Sequence, residues 1–188
     1  MNASKTAGLH DVELAALAAA GDRAAFGELV RRHGSSVRGL LRRMGADPSL
    51  ADDLAQDAFL AAFERIAEFR GEGTFAAWVR RIAARLYIRR WRREGLMDQA
   101  LDDQEETSGG EAIAASRIDL DGALKILAPA ERMCVSLCYG AGLSHAEAAE
   151  ALNAPLGTVK SHVKRGLDKL RHKLAPAGGS SDGRREHG

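Results

Sequence analysis

The stretch "GTVKSHVKRG", residues 157–166, combines the apolar spacing of a buried helix with a basic surface. It contains three Lys or Arg residues and one histidine, and it lacks any acidic residue. Val159 and Val163 lie four positions apart, the spacing at which an α-helix presents two side chains to one core. The stretch therefore predicts a helix that is anchored through one face and offers its other face to an anionic partner.

The sequence around this helix predicts a helix-turn-helix. Ser144 and Glu147 form a capping box that begins a short helix, and "NAP" at 153–155 supplies the turn. Two closely linked helices of which the second is basic are typical of DNA-binding domains. The second helix is predicted from about Pro155 to Leu174, with an apolar side formed by Val159, Val163, Leu167, Leu170 and Leu174.

The basic side of the predicted second helix carries the groups that DNA recognition requires. Backbone N–H groups and the helix dipole at its N-terminus suit a phosphate, while hydroxyl, Lys, His and Arg side chains reach the DNA backbone and base edges. The predicted DNA-contacting residues are Thr158, Lys160, Ser161, His162, Lys164 and Arg165. The alternative interpretation is an ordinary amphipathic helix whose basic face is solvated.

The composition indicates a globular all-α protein. Apolar residues make up 45% of the 188 positions and charged residues 28%, which fits one medium domain or two small ones. Ala, Leu and Arg are abundant and runs of Val, Ile and Thr are absent, so helices are predicted throughout. The two cysteines are too few for a disulfide scaffold, and no apolar run reaches about 18 residues. We therefore predict a cytoplasmic location and no membrane insertion.

The net charge of +1 conceals two basic blocks separated by an acidic one. Residues 78–93 contain seven arginines and no acid, and residues 94–111 contain seven acids and no Lys or Arg. Residues 158–173 contain six Lys or Arg residues against one aspartate. It is this distribution, and not the total, that indicates partners of opposite charge.

Periodicity and composition divide the chain into two small helical domains joined by a flexible acidic linker. The linker contains few large apolar side chains, so it cannot bury enough surface to offset the entropy of ordering. The predicted segments are a disordered N-terminus at 1–10, a first domain at 11–93, the linker at 94–117, a second domain at 118–174 and a disordered tail at 175–188.

Three features of the first domain are expected to set its helix boundaries. Asp22 is predicted to cap a longer helix, and Gly34 lies within its apolar pattern, where a glycine makes one unbroken helix less favourable. Ser49 and Asp52 predict the start of the next helix, which runs to about Phe69. A glycine-containing loop then precedes a helix from about residue 74 to residue 93.

The helix at 74–93 carries an arginine stripe, formed by Arg81, Arg85, Arg89 and Arg92 at helical spacing. Their mutual repulsion would be relieved by phosphate groups. Phe69 and Phe75 flank the preceding loop, and aromatic rings beside arginines suit stacking on unpaired bases. The alternative is that the aromatic rings belong to the core, which is the favoured interpretation for Trp78.

A second polar surface is predicted on the helix at 49–69. It lies opposite the apolar stripe, and its members are Asp53, Gln56, Asp57, Leu60 and Glu64. A solvated acidic face has no need of an exposed leucine, and a basic partner helix would match this surface. The alternative is a simple solvated face.

No catalytic, cofactor or metal site is predicted. Cys134 and Cys138 share a helix face and His145 follows, but zinc requires three or four well-placed ligands. Buried thiols are the favoured interpretation. Phosphate-binding, nucleophile-elbow and zinc-protease motifs are absent from the sequence, so the chain is not expected to be an enzyme.

Three stretches resemble the sigma-70 family of bacterial transcription initiation factors, in its small extracytoplasmic-function (ECF) subgroup. "ADDLAQDAFLAAFERIAEF" (51–69) is similar to the family's core-polymerase-binding helix. "FRGEGTFAAWVRRIA" (69–83) is similar to the loop and helix that open the promoter −10 element. "GLSHAEAAEALNAPLGTVKSHVKRGLDKLR" (142–171) is similar to the −35-binding helix-turn-helix. The likeness covers about residues 11–174 and implies a region 2 bundle followed by a region 4 helix-turn-helix.

The resemblance implies a partner for each surface. The acidic face would dock on the coiled coil of the polymerase β′ subunit, the β flap would be a second polymerase contact, and an anti-sigma factor is a further expected partner. The loop would hold a flipped −10 base while the arginine helix grips promoter DNA. The implied −10 residues are Phe69, Arg70, Thr74, Phe75, Arg81, Arg85, Arg89 and Arg92.

Three positions depart from the family pattern. Arg85 and Arg89 stand where the family has Asn and Asp, which predicts stronger and less selective phosphate binding. His162 stands where the family has Arg, and an imidazole is a poorer guanine reader, so an unusual or pH-sensitive −35 preference is expected. The predicted function is that of an alternative sigma factor. The alternatives are a stand-alone helix-turn-helix regulator, and a sigma mimic that binds an anti-sigma protein without meeting DNA.

Overall fold

A computed structural model describes residues 8–95 and 120–174, and its regular structure in both ranges is helical. These two ranges contain eight α-helices, namely α1 (Asp11–Ala19), α2 (Arg23–Met44), α3 (Pro48–Glu64), α4 (Phe75–Arg93), α5 (Leu120–Leu124), α6 (Pro129–Val135), α7 (His145–Leu152) and α8 (Leu156–Leu174). A 3₁₀ turn follows α3 at Ile66–Glu68, and a π-helical turn follows α6 at Ser136–Gly140. The all-α prediction is confirmed.

Parts of the predicted domain map lie outside the described residues. They are residues 1–7 of the N-terminal segment, residues 96–117 of the linker, the first two residues of the second domain and the whole tail at 175–188. Among the described residues, no helix is long and apolar enough to cross a membrane.

Helix α2 is continuous over 22 residues, so the longer helix predicted after Asp22 is present and Gly34 does not interrupt it. Gly34 is buried against neighbouring side chains, and tertiary packing outweighs its low helix propensity. The Asp22 carboxylate accepts from the N–H of Ala24 at 2.9 Å and begins the helix. Gly45 ends it with φ +118°, a left-handed conformation that a side chain disfavours.

Helix α3 begins earlier than predicted, because Asp47 and not Ser49 caps it. The Asp47 carboxylate accepts from the N–H of Leu50 at 3.0 Å, and Pro48 occupies the first turn, where its missing N–H costs no hydrogen bond. The helix also ends at Glu64, five residues before Phe69, and the 3₁₀ turn leads into the loop. Its predicted apolar stripe is buried.

The capping box of the second domain is confirmed. The Ser144 Oγ accepts from the N–H of Glu147 at 3.2 Å, and the Glu147 carboxylate accepts from the N–H of Ser144 at 2.7 Å. The prediction that Leu174 belongs to the buried apolar side of α8 is wrong, since Leu174 keeps 41% of its surface exposed. The last turn of α8 extends past the small apolar cluster around Leu124 and Leu170.

Gly166 lies where α8 crosses α6 at short range. A Cβ atom there would lie 2.8 Å from Val135 Cγ2 and 3.5 Å from Glu131 Cβ. Glycine is therefore a packing requirement at this crossing. Gly157 in the same helix has no such neighbour within 4 Å.

We expect Gly166→Ala to have a lower free energy of unfolding than Gly157→Ala by about 1–3 kcal/mol. The two substitutions gain similar helix propensity, and only the first overpacks a buried crossing, which costs about 1–3 kcal/mol. Urea denaturation of both full-length variants measures the difference. Equal stabilities would contradict the tight crossing.

Candidate polymerase and DNA interfaces

The predicted acidic face is exposed along one side of α3. All five of its members are exposed, namely Asp53, Gln56, Asp57, Leu60 and Glu64. Leu60 keeps 63% of its surface exposed, so this otherwise polar face includes an exposed apolar side chain. The spatial arrangement that the sequence predicted for this surface is therefore present.

An apolar groove lies beside this face, between α2 and α3, with a volume of about 580 Å³. Phe26 and Phe63 meet edge to face in its wall, with ring centroids 4.9 Å apart, and Leu60 also lines it. The sequence analysis missed the groove. The repeated apolar pairs at four-residue spacing in α2 (Phe26 and Val30) and α3 (Phe59 and Phe63) are the signal that was available.

The loop between α3 and α4 presents fewer aromatic groups than predicted. Phe75 is 1% exposed and packs against Phe69 and Trp78, with ring centroids 5.6 and 5.7 Å away, so its prediction as a base-contacting residue is wrong. It is the first residue of α4, and the Thr74 hydroxyl caps this helix by accepting from the N–H of Ala77 at 3.1 Å. Phe69 remains half-buried and Arg70 is exposed.

The arginine stripe is exposed along α4, and part of it contacts the second domain. Arg81 Nη2 donates to the carbonyl oxygen of Gly142 at 2.7 Å, and Arg81 Nη1 lies 3.3 Å from the Glu147 carboxylate. Arg92 Nη2 donates to the carbonyl oxygen of Ala151 at 2.5 Å. Two members of the stripe therefore hold α7 against α4.

Arg85 also interacts electrostatically with Glu147 at this contact between the domains. Hydrogen bonds with Ser144 lower the pKa of Glu147, and the charges of Arg81 and Arg85 lower it further. Across the described residues, neither Arg85 nor Arg89 makes a hydrogen bond or ion pair. These two arginines are the members of the stripe that can reach another partner without breaking an existing bond.

The basic side of α8 matches the prediction except at His162. Lys160, Ser161, Lys164 and Arg165 are exposed and Thr158 is half-buried. In contrast, His162 is only 3% exposed, so its prediction as a base reader is wrong.

The reason lies in helix spacing. His162 follows Val159 by three positions, which rotates its side chain toward the buried side of the helix. The ring Nδ1 lies 3.0 Å from Arg165 Nη2. The i, i+3, i+4 and i+7 positions 159, 162, 163 and 166 are all buried, and this pattern was visible in the sequence.

The two cysteines behave as packing residues. Cys134 is fully buried, and burial raises the pKa of its thiol to about 12. Cys138 is half-buried. No cluster of three His, Cys, Asp or Glu side chains suited to a metal ion occurs within residues 8–95 and 120–174.

Comparisons with known proteins agree with this arrangement of surfaces. The model of Sigma-70 region 2 matches residues 29–96, and the model of Sigma-70 region 4 matches residues 123–172. The chain is 36% identical over 169 residues to the ECF RNA polymerase sigma factor SigE of Mycolicibacterium smegmatis, covering 84% of this chain and 65% of that protein.

Two further relatives are covered more fully. The RNA polymerase sigma factor NccH of Alcaligenes xylosoxydans is 35% identical over 85% of this chain and 92% of its own length. The ECF RNA polymerase sigma factor SigW of Bacillus subtilis is 34% identical over 82% of this chain and 91% of its own length.

Solved structures share the fold. CnrH, solved in complex with the cytosolic domain of CnrY, is 29% identical with a TM-score of 0.53, and the match covers 89% of this chain and 99% of that one. Bartonella quintana RpoE, at 22% identity and a TM-score of 0.52, matches over 81% of this chain and 98% of its own. With both sigma regions matched in one chain, a stand-alone helix-turn-helix regulator is not favoured. The chain belongs to the ECF subgroup of the sigma-70 family of RNA polymerase sigma factors.

Proposed function

We propose that the chain is an alternative sigma factor that binds core RNA polymerase and directs promoter recognition, acting as a specificity subunit and not as an enzyme. One observation carries this proposal: the same chain has an exposed acidic face on α3, with an apolar groove beside it, and a basic helix-turn-helix that ends in α8. A DNA-binding regulator that ignores polymerase has no use for the first of these surfaces. Such a factor works in the bacterial cytoplasm.

The acidic face on α3 is the proposed docking site for the coiled coil of the polymerase β′ subunit. A basic partner helix would pair with Asp53, Asp57 and Glu64, while an apolar side chain of that partner would cover Leu60. Charge complementarity of this kind steers association and rejects wrong partners. The second domain would contact the β flap, as the family resemblance implies.

The loop before α4 and the arginine stripe are the proposed −10 contacts. Phe69, Arg70 and Thr74 would face the opened strand, and the stripe would bind phosphates. Phe75 takes no part, because it is buried.

Promoter binding also implies that the two domains separate. Elements at −10 and −35 lie about 25 base pairs apart, which is about 85 Å along DNA at about 3.4 Å per base pair. In this structure Arg81 and Arg92 connect the two domains, and the domains would have to move apart to span that distance. We therefore propose that these arginines exchange carbonyl acceptors for phosphates when the factor binds core polymerase and promoter.

The exposed residues of α8 are the proposed −35 contacts. Lys160, Lys164 and the N-terminal turn at Thr158 would bind the DNA backbone, while Ser161 and Arg165 would reach base edges in the major groove.

An anti-sigma protein is the proposed regulator. CnrH was solved with the cytosolic domain of CnrY, and RpoE was solved with the anti-sigma factor NepR. By analogy, a protein that covers the α3 face or the groove beside it would block polymerase docking in this chain.

Run-off transcription with purified core polymerase over a promoter library tests the proposed function. We expect discrete transcripts that require the added chain and share two sequence elements. Transcripts that are identical with and without the chain would contradict the proposal. If core polymerase binds the chain in a pull-down but no promoter is transcribed in the run-off assay, the sigma-mimic alternative is favoured.

A further inference from the structure

A polar cluster is buried where α8 crosses α6. Glu131 is 4% exposed and His162 is 3% exposed, although both types of side chain are ordinarily on the surface. The Glu131 carboxylate accepts from the backbone N–H of Ala128 at 3.2 Å and from Lys169 Nζ at 3.0 Å. The Glu131 carboxylate therefore has hydrogen-bond partners at the start of α6 and on α8, which fixes it at the crossing of the two helices.

Arg165 is held between these two buried groups. Its Nε lies 3.8 Å from the Glu131 carboxylate, and its Nη2 lies 3.0 Å from His162 Nδ1. The side chain is still 47% exposed. Within the described residues its Nη1 has no hydrogen-bond partner, so donors remain for a ligand outside the helix. One side of the guanidinium is fixed while the other is presented to solvent.

The donor and acceptor roles follow from the chemistry of arginine. A guanidinium has only donors, so His162 Nδ1 must accept, and the ring must be neutral with its proton on Nε2. Burial, followed by the charge of Arg165, lowers the pKa of His162, whereas Glu131 acts in the opposite direction. The ring is therefore neutral at pH 7 and above, where the hydrogen bond exists.

We infer that His162 is a positioning residue, which together with Glu131 orients the Arg165 guanidinium for base reading in the −35 element. The inference rests on the proposed function, in which α8 enters the major groove. A bidentate arginine–guanine contact requires the guanidinium plane in a fixed orientation. Ordering a long side chain before binding removes an entropic cost of recognition.

A matched set of substitutions separates positioning from packing. His162→Leu fills the buried space and removes the acceptor. His162→Asn places an amide oxygen near the position of Nδ1 and accepts at any pH. Arg165→Ala removes the reader itself, and Lys164→Ala removes a neighbouring exposed charge as a control for backbone contacts.

The experiment measures binding of each full-length variant, as holoenzyme, to promoters with single substitutions across the −35 element. We expect Arg165→Ala to lose a preference of about 5- to 150-fold at one base pair. His162→Leu should weaken that same preference about two- to tenfold, and His162→Asn should retain it. Lys164→Ala should weaken all promoters alike.

The pH profile of this preference is the second readout. For the wild-type chain, the preference should decline only at a pH lower than the ordinary imidazole value of about 6.5, because the pKa of His162 is lowered and protonation of Nδ1 there removes the acceptor and adds a like charge. His162→Asn should show no such decline. Comparing two promoters at each pH cancels general effects on polymerase.

Three results would overturn the inference. A His162→Leu variant that keeps the full preference would show that Arg165 needs no acceptor. Equal losses in the Leu and Asn variants would assign His162 a packing role. An Arg165→Ala variant with unchanged preferences would instead contradict the proposed −35 contact itself, so the two failures are distinguishable.

Discussion

Reversing two charges on α3, Asp53→Arg with Asp57→Arg, is expected to weaken core polymerase binding at least about 100-fold. Both carboxylates are exposed and lie on the proposed docking face. Placing like charges against a basic partner costs several kcal/mol, and about 2.8 kcal/mol already corresponds to 100-fold. Equilibrium binding of labelled full-length protein to core polymerase measures the effect at fixed ionic strength.

A charge-matched control separates the face from the total charge. Glu72→Arg with Glu150→Arg produces the same change in net charge at two exposed positions off this face. It should bind core polymerase within about threefold of the wild type. Helical content and unfolding temperature should be unchanged in both variants, since none of the four positions is buried. Comparable binding by the two double variants would remove the main support for the proposed docking site.

The fold was largely predictable because its signals are local. Helical periodicity and the capping box at Ser144 and Glu147 depend on residues close in sequence, and the structure confirms both. The error at Ser49 is instructive. Asp47 followed by Pro48 is a competing start signal, and proline at the first helical turn is the stronger constraint because it has no N–H to satisfy.

The sequence was sufficient to predict the exposed faces of α3, α4 and α8. The two wrong predictions concern side chains that were expected on these surfaces and are buried instead. Phe75 and His162 are residue types that suit nucleic-acid contact, but each lies at a position that turns toward the core. For His162 the spacing from Val159 contained this information. For Phe75 the direction depends on how α4 meets Phe69 and Trp78, which is a tertiary property.

The contact between the domains could not have been predicted from the sequence. Arg81 and Arg92 donate to backbone carbonyl oxygens of Gly142 and Ala151, and every residue carries such an oxygen. A carbonyl acceptor leaves no residue-type signal, so an arginine stripe is equally compatible with phosphate and with a neighbouring helix. This ambiguity determines which arginines are suitable for testing DNA binding.

Arg85→Ala with Arg89→Ala is expected to weaken promoter binding by the holoenzyme about tenfold or more while leaving core polymerase binding intact. Neither arginine makes a hydrogen bond or ion pair within the described residues, so their loss does not release α7 from α4. Each lost phosphate contact should reduce the salt dependence of binding by about one unit of slope, because fewer counterions are displaced. The double variant should therefore show a slope lower by about two.

Arg80→Ala with Arg90→Ala is the matched control, because it removes the same charge from the same helix at positions off the stripe. Arg80 bonds the carbonyl oxygen of Ala76, and Arg90 pairs with Glu94, so both contacts stay within or next to α4. Promoter affinity and salt slope should remain near the wild-type values for this control. If both double variants lower the slope equally, the basic charge of α4 acts diffusely and the stripe is not a contact surface. If Arg85→Ala with Arg89→Ala leaves the slope unchanged, these two arginines do not bind phosphate, and their departure from the family pattern needs a different physical explanation.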